Sequence, residues 1–333
     1  MGNSLLDIKP HQVSRDLRGY SIFFYGAPKT GKTTIASQFP GALLLAFEKG
    51  YNAIPGVMAK PLNSWGEFKK TLSELKDPQV KEAFQTVIID TVDIAYQYCE
   101  KYICNRESTA TQTYEAIGDI PYGKGYKLSQ TEFDTAIRQI LQMDYGLVLI
   151  SHEIDKVMKT ETGEEISKII PTVDSRAKLV CERTCDIIGY ARLIDDVETG
   201  KSETLLFLRG TPRFEAGSRF KYTPDFIHFT YDNLVNAIAD AIDKEAQSRG
   251  KEFITEQSYN KEELYADEKE YDFPELMKTF QDLVGDLMTK DQNVAPKITK
   301  IVESHLGKGK KVSDCTSDQA AQLDLIIFDL KKL

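Results

Sequence analysis

The sequence predicts an α/β fold: a mostly parallel sheet flanked by helices, with antiparallel edge strands, and a small helical domain after it. Three observations predict this. Four short apolar runs, SIFFYG ending at Gly26, ALLLAFEKG (42–50), FQTVIIDT (84–91) and GLVLISHE (146–153), are continuous rather than alternating, as strands buried on both faces require. Helix-like segments separate them, which is the spacing of parallel crossovers. After His152 the runs shorten and alternate, so the sheet is extended by antiparallel strands.

The elements follow in order. A turn rich in glycine joins the first strand to GKTTIASQF, which reads as a helix start. After the second run, Ser64 and Glu67 have capping-box spacing and open a helix to about Lys76. The third run leads into the helical VDIAYQYCEKYI. A polar loop containing DIPYGKGY comes next, and Ser129 with Glu132 predict a helix through Met143. Beyond the fourth run, residues 153–171 read as a hairpin turning at Thr162-Gly163, CDIIGYARLID and TLLFLRG as strands, and Asp232 to Arg249 as the closing helix.

Residues 1–249 therefore form the main domain. Residues 250–271 are acidic and poor in aliphatics, as a solvated linker would be. Residues 272–333 form a helical unit with helices near Pro274–Lys290, Ala295–His305 and Ser317–Lys332. Gly307 is its C-cap candidate, Thr316 with Gln319 a capping box, and Ala320, Leu323, Ile327 and Leu330 a stripe expected to be core.

Composition narrows the class. A chain of 333 residues suggests about two domains on a prior of roughly 150 residues each. No apolar run approaches the roughly 18 residues that span a bilayer, and MGNSLLDIKP lacks a signal-peptide core, so no membrane partner and a cytoplasmic location are expected. The five cysteines include no C-x-x-C pair, which disfavours disulfides and zinc. A net charge of -9 excludes a protein that coats nucleic acid by charge alone, so any such contact must be local.

The segment Gly26-Ala27-Pro28-Lys29-Thr30-Gly31-Lys32-Thr33, followed by Thr34, satisfies G-x-x-x-x-G-K-[ST]. Its glycines let backbone N–H groups converge on phosphate oxygens, the next helix presents its N-terminus, Lys32 reaches the β- and γ-phosphates, and the Thr33 hydroxyl ligates Mg²⁺. Lys29 is not required by the pattern. Asp90, at the end of the third run, is the expected Mg²⁺-side carboxylate, so ATP and Mg²⁺ are the expected cofactors. Glu48, at the end of the second run, is placed to orient or deprotonate water, a role typically worth roughly 10²- to 10⁴-fold in rate. A plain surface Glu at a strand end fits the same position.

In their order, YGAPKTGKTT, FEKG, VIIDT, IPYGKGY and VLISHE resemble the RecA-like P-loop ATPases. They are closest to the short phage RecA-like single-strand annealing ATPases, also described as AAA-type phage NTP-binding proteins. The resemblance covers roughly residues 18–230. It implies Glu48 as catalytic carboxylate, Asp90 at the Mg²⁺ water, and His152 as the polar sensor of the γ-phosphate, a position where the better known recombinases have Gln. It also implies that the segment after His152 contacts DNA, which brings in Lys156, Lys159, Lys168 and Arg176, here diluted by acids from Glu153 to Asp174. Self-association as a ring or filament is implied, with ATP between protomers and a neighbour's cation completing the site; Arg209, Arg213 and Arg219 are the candidates.

Two further stretches are able to touch nucleic acid. Tyr122, Lys124 and Tyr126 interleave aromatics with a cation, and Lys308, Lys310 and Lys311 form a compact basic cluster. The expected function is an ATP-hydrolysing recombination or single-strand annealing factor, stimulated by single-stranded DNA, in the host cytoplasm if phage-encoded. The alternative is a nucleotide-gated loader or switch that binds a single-strand binding or replication protein through its C-terminal helices, with little hydrolysis. A small-molecule kinase is weak because no Arg-rich lid lies between Asp90 and Gly146; Arg106 and Arg138 are isolated.

Overall fold

The structure, a computed structural model, describes residues 11–333 except 160–162, 164, 197–199, 251–253, 256–270 and 292. Its chain divides into two compact units, Met1–Tyr265 and Ala266–Leu333.

In chain order the first unit contains β1 (Val13–Ser14), β2 (Ser21–Gly26), α1 (Lys32–Ala36), β3 (Ala42–Ala46), β4 (Ala59–Pro61), α2 (Trp65–Glu74), α3 (Pro78–Ala83), β5 (Thr86–Asp90), α4 (Val92–Glu107), α5 (Lys124–Gln142) and β6 (Gly146–Ser151). It continues with β7 (Glu153–Lys159), β8 (Glu165–Pro171), α6 (Ser175–Thr184), β9 (Ile187–Asp196), β10 (Lys201–Phe207), β11 (Gly217–Ser218), β12 (Phe226–His228), α7 (Tyr231–Arg249) and β13 (Ile254–Thr255). The main sheet has the order β12-β10-β9-β2-β6-β5-β3-β4, with β11 on β9. The strands from β9 to β4 run parallel, while β10, β11 and β12 pair antiparallel.

The unbroken apolar runs follow from burial on both faces. Phe23, Leu45, Ile89 and Leu149 meet α2, α4, α5 and α6 on one side, and Ile22, Phe24, Leu44, Ile88 and Ile150 meet α1 and α7 on the other. Helix α7 buries Leu234, Ala237, Ile238, Ala241 and Ile242, the i, i+3, i+4, i+7, i+8 stripe of a helix lying on a sheet.

Local chemistry corrects three expectations. Ser64 does cap α2, its Oγ accepting from Glu67 N, but the Glu67 carboxylate accepts from Asn63 N instead of completing the box on Ser64. Helix α5 starts five residues before Ser129, with Gly123 in the left-handed region as N-cap. Ser129 is buried inside it, donating to Tyr126 O and paired with the Tyr96 hydroxyl, while Glu132 accepts from Trp65 Nε1. The tertiary contacts of these two side chains displaced their capping use. Third, the expected 250–271 linker includes β13, which pairs parallel with β1; most of the remaining stretch lies outside the described residues.

β7 and β8 pair as the expected hairpin, apart from the main sheet; Thr162 of the expected turn lies outside the described residues. Strand β9 is not an edge: it lies between β2 and β10, and its parallel register to β2 carries Ala191 against Gly26.

The second unit packs α8 (Phe273–Lys290), α9 (Ala295–Leu306) and α10 (Ala320–Leu330) around Ile298, Val302, Leu323, Ile326, Ile327 and Leu330. Gly307 is the C-cap residue of α9, at φ 102°. Thr316 and Gln319 form the expected box, the Gln319 Oε1 accepting from Thr316 N at 3.3 Å. Leu323→Ala, at a side chain with 0% exposure, is expected to cost about 2–5 kcal/mol. Hydrogen exchange should then rise across α8–α10 and stay unchanged at β2 and β5.

Candidate nucleotide and Mg²⁺ site

Strand β2 ends in Gly26, and the chain turns through Ala27–Gly31 into α1. Gly26 has φ 152°, and a Cβ there would stand 2.1 Å from Ala191 O, so no larger residue fits between β2 and β9. Gly31 is left-handed at φ 87°, and nothing lies within 4 Å of where its Cβ would be. A left-handed glycine at this point lets the loop turn so that its backbone N–H groups can face one anion. Helix α1 has only five residues, so its dipole is small, and backbone N–H groups with Lys32 must supply most of the positive field.

Lys32 is buried and its Nζ donates to Gly26 O (2.8 Å), Ala27 O (2.7 Å) and Thr30 Oγ1 (3.3 Å). Burial pushes its ammonium down to about 8, against the pull of Asp90, Glu153 and Glu48. The charge is thus folded back on its own loop and available to a stronger anionic acceptor. Lys29 and Pro28 are exposed, Ala27 is half-buried, Thr30 is buried, and Thr34 faces outward.

Because β6 lies between β2 and β5, the ends of the three strands stand side by side. Thr33 Oγ1 donates to Asp90 Oδ2 at 2.7 Å, bringing together the hydroxyl and carboxylate suited to a Mg²⁺ ion. Burial pushes the Asp90 carboxyl up, with the Thr33 hydrogen bond opposing. A cation there would favour the ionised form, so the donor set fits the metal.

Glu48 sits two residues past β3. The amides of Phe47 and Glu48 both donate to Asp90 O, at 2.7 and 3.1 Å, which holds the turn against β5. Glu48 Oε2 meets His152 Nε2 at 3.1 Å, with the two side chains 43% and 32% exposed. Residues 104 apart in sequence thus form one pair beside the P-loop. Sequence reasoning named both residues but not their contact, and it missed Asp93, whose carboxylate accepts from Ser151 and Thr172. Its one visible sign is position: a second acid three residues after Asp90.

The remaining candidates divide. Arg209 donates to Phe220 O and Lys221 O, both at 2.7 Å, and Arg219 to Asp186 (3.0 Å) and Arg183 O (2.9 Å), so both brace the chain's own loops. Arg213 is exposed, and its guanidinium has no hydrogen bond or ion pair among the described residues. Lys168 pairs with Glu215 at 3.1 Å, whereas Lys156 and Lys159 are exposed. Arg176 lies 3.9 Å over the Tyr126 ring, joining two candidate stretches to each other. Tyr122 is fully exposed at φ 59°, Lys124 pairs with Glu107 at 3.1 Å, and Lys308, Lys310 and Lys311 are exposed. No group of three or more His, Cys, Asp or Glu among the described residues forms a further metal cluster. Nor is any described helix long and apolar enough to cross a membrane.

An AAA domain family model matches residues 18–220. The SPbeta prophage-derived uncharacterized protein YorG of Bacillus subtilis (strain 168) is 30% identical over 328 residues, covering 96% of this chain and 95% of that protein. The crystal structure of the RadB recombinase aligns at 14% identity and a TM-score of 0.35, over 65% of this chain and 90% of that one. The family match spans more than half of the chain and contains the P-loop, and on that ground the chain belongs to the AAA domain family.

Proposed function

We propose that the protein binds and hydrolyses ATP with Mg²⁺ and acts as an oligomer on single-stranded DNA, in recombination or strand annealing. The observation that carries this reading is the Glu48–His152 hydrogen bond. It links the carboxylate beside the P-loop to the residue from which the β7–β8 hairpin departs. Glu48 takes the proton of the attacking water and Lys32 meets the phosphate oxygens; Thr33 and Asp90 would hold Mg²⁺, which would supply charge neutralisation. His152 reports the state of that carboxylate to the hairpin.

The hairpin suits a nucleic-acid strand. It exposes Ile154, Val157 and Met158 beside Lys156 and Lys159. Lys156 stands directly opposite Lys168, a like-charge pair that disfavours the fold unless anions answer it. Glu215 answers Lys168, and a phosphate is the natural answer for Lys156. Tyr122 offers an uncovered ring for base stacking, and Lys308, Lys310 and Lys311 a second backbone contact. Arg213 is the preferred cation in trans, since Arg209 and Arg219 already serve the chain's own loops.

A second reading, a nucleotide-gated loader for a single-strand binding or replication protein, draws support from α10, which leaves Leu325 51% and Phe328 59% exposed. Steady-state hydrolysis with and without single-stranded DNA separates the two, with Lys32→Ala as the inactive control. DNA-stimulated turnover supports the first reading; ATP binding with negligible turnover indifferent to DNA rejects it and leaves the second.

A further inference from the structure

We propose that Asp93 is a positioning residue that couples the nucleotide site to the β7–β8 hairpin through Thr172. Asp93 lies in the first turn of α4, three residues after Asp90. An acid there is ordinarily explained by the helix dipole and stays solvated. This one is engaged otherwise. Its Oδ1 accepts from two hydroxyls on two different elements: Ser151 Oγ at 3.0 Å, at the end of β6, and Thr172 Oγ1, one residue past β8. The backbone repeats the link, Thr172 N donating to His152 O at 3.0 Å. Both ends of the hairpin are therefore tied to the strand end that carries His152, and through Asp93 to the helix that follows the Mg²⁺-side carboxylate.

The bridge borders further buried polar groups. Asp93 Oδ2 is buried and has no hydrogen-bond partner among the described residues, and the same holds for the Thr91 hydroxyl and His152 Nδ1. Thr91 follows β5, His152 follows β6 and Asp93 lies in the first turn of α4, so all three atoms stand next to the bridge. A shift of His152 when Glu48 changes partner would pull on Thr172 N and on the Ser151–Asp93–Thr172 hydroxyl bridge together. Asp93 touches no reacting atom in this scheme; it transmits.

The proposal rests on the reading of Glu48 and His152 as the hydrolytic pair, but its test uses no DNA and no turnover, so the two fail separately. Thr172 is on the surface, and Thr172→Val keeps shape while deleting the donor, whereas Thr172→Ser restores it. Hydrogen exchange of 153–159 and 165–171 is measured with and without a nonhydrolysable ATP analogue and Mg²⁺ in wild type, both Thr172 variants and Asp93→Asn. The wild-type hairpin should change protection on nucleotide binding. That change should shrink about fivefold or more in Thr172→Val and Asp93→Asn and return in Thr172→Ser, while analogue affinity stays within about twofold. A hairpin that ignores nucleotide in wild type, or one that responds equally in Thr172→Val, overturns the proposal. A merely structural Asp93 would lower the melting temperature of all variants without altering the nucleotide-dependent difference.

Discussion

Glu48→Gln is expected to bind ATP as the wild type does and to turn it over roughly 10²- to 10⁴-fold more slowly, the usual cost of removing a general base. Gln has the same length, and its amide is able to keep the hydrogen bond to His152 Nε2 seen at 3.1 Å. The backbone bonds from Phe47 and Glu48 to Asp90 O do not involve the side chain, so the turn after β3 stays in place. What disappears is basicity and one negative charge close to Asp90, whose carboxyl Glu48 helps to push up. Nucleotide affinity should therefore hold or improve slightly while turnover collapses. Single-turnover hydrolysis set beside binding of a fluorescent ATP analogue reads both quantities. Turnover within a few-fold of wild type would remove Glu48 from the chemistry and leave it as a surface acid beside His152.

Trp65→Ala should destabilise the first unit by about 3–5 kcal/mol, the range for deleting a buried aromatic. Trp65 is 1% exposed and sits between Phe68 and Phe133, with ring centroids at 4.8 and 6.0 Å. It holds α2 to α5, because its Nε1 donates to Glu132 Oε1 at 3.0 Å. For a unit of this size the loss corresponds to a melting temperature lower by about 6–20 °C. Trp65→Phe keeps most of the ring volume and should cost less, mainly the hydrogen bond to a charged acceptor, about 1.5–3 kcal/mol.

The pH dependence of that smaller loss has a definite sign. Burial pushes Glu132 up, but the hydrogen bonds from Lys69 and Trp65 prevail and hold its carboxyl below the usual range. Its contribution is therefore present above the unfolded carboxylate range and is lost as pH falls through the folded value. The gap between Trp65→Phe and wild type should narrow in acid. Urea unfolding followed by circular dichroism tests both variants, and in the wild type Trp65, the only tryptophan, reports the transition by fluorescence.

The α/β class was readable because apolar runs buried on both faces leave a pattern that local sequence carries: Phe23 and Phe24 are both apolar because opposite faces of one sheet claim them. The P-loop was readable for a related reason, since Gly26, Gly31 and Lys32 answer a demand made by adjacent backbone. The start of α5 was misread because Ser129 and Glu132 fit a local capping pattern that contacts with Tyr96 and Trp65 overrode. The parallel pairing of β1 with β13 was missed because two residues on each side carry no periodicity.

By itself, then, the sequence determined the parallel core, the phosphate loop and the positions of Glu48, Asp90 and His152 at strand ends, all properties set by residues within a few positions of each other. Only the tertiary structure decided which of them meet. The insertion of β6 between β2 and β5 sets His152 against Glu48, 104 residues away, and draws Asp93, Ser151 and Thr172 into one bridge. It likewise committed Arg209 and Arg219 to their own loops and left Arg213 exposed. Strand order and hydrogen-bond partners arise from long-range packing, and no local spacing encodes them.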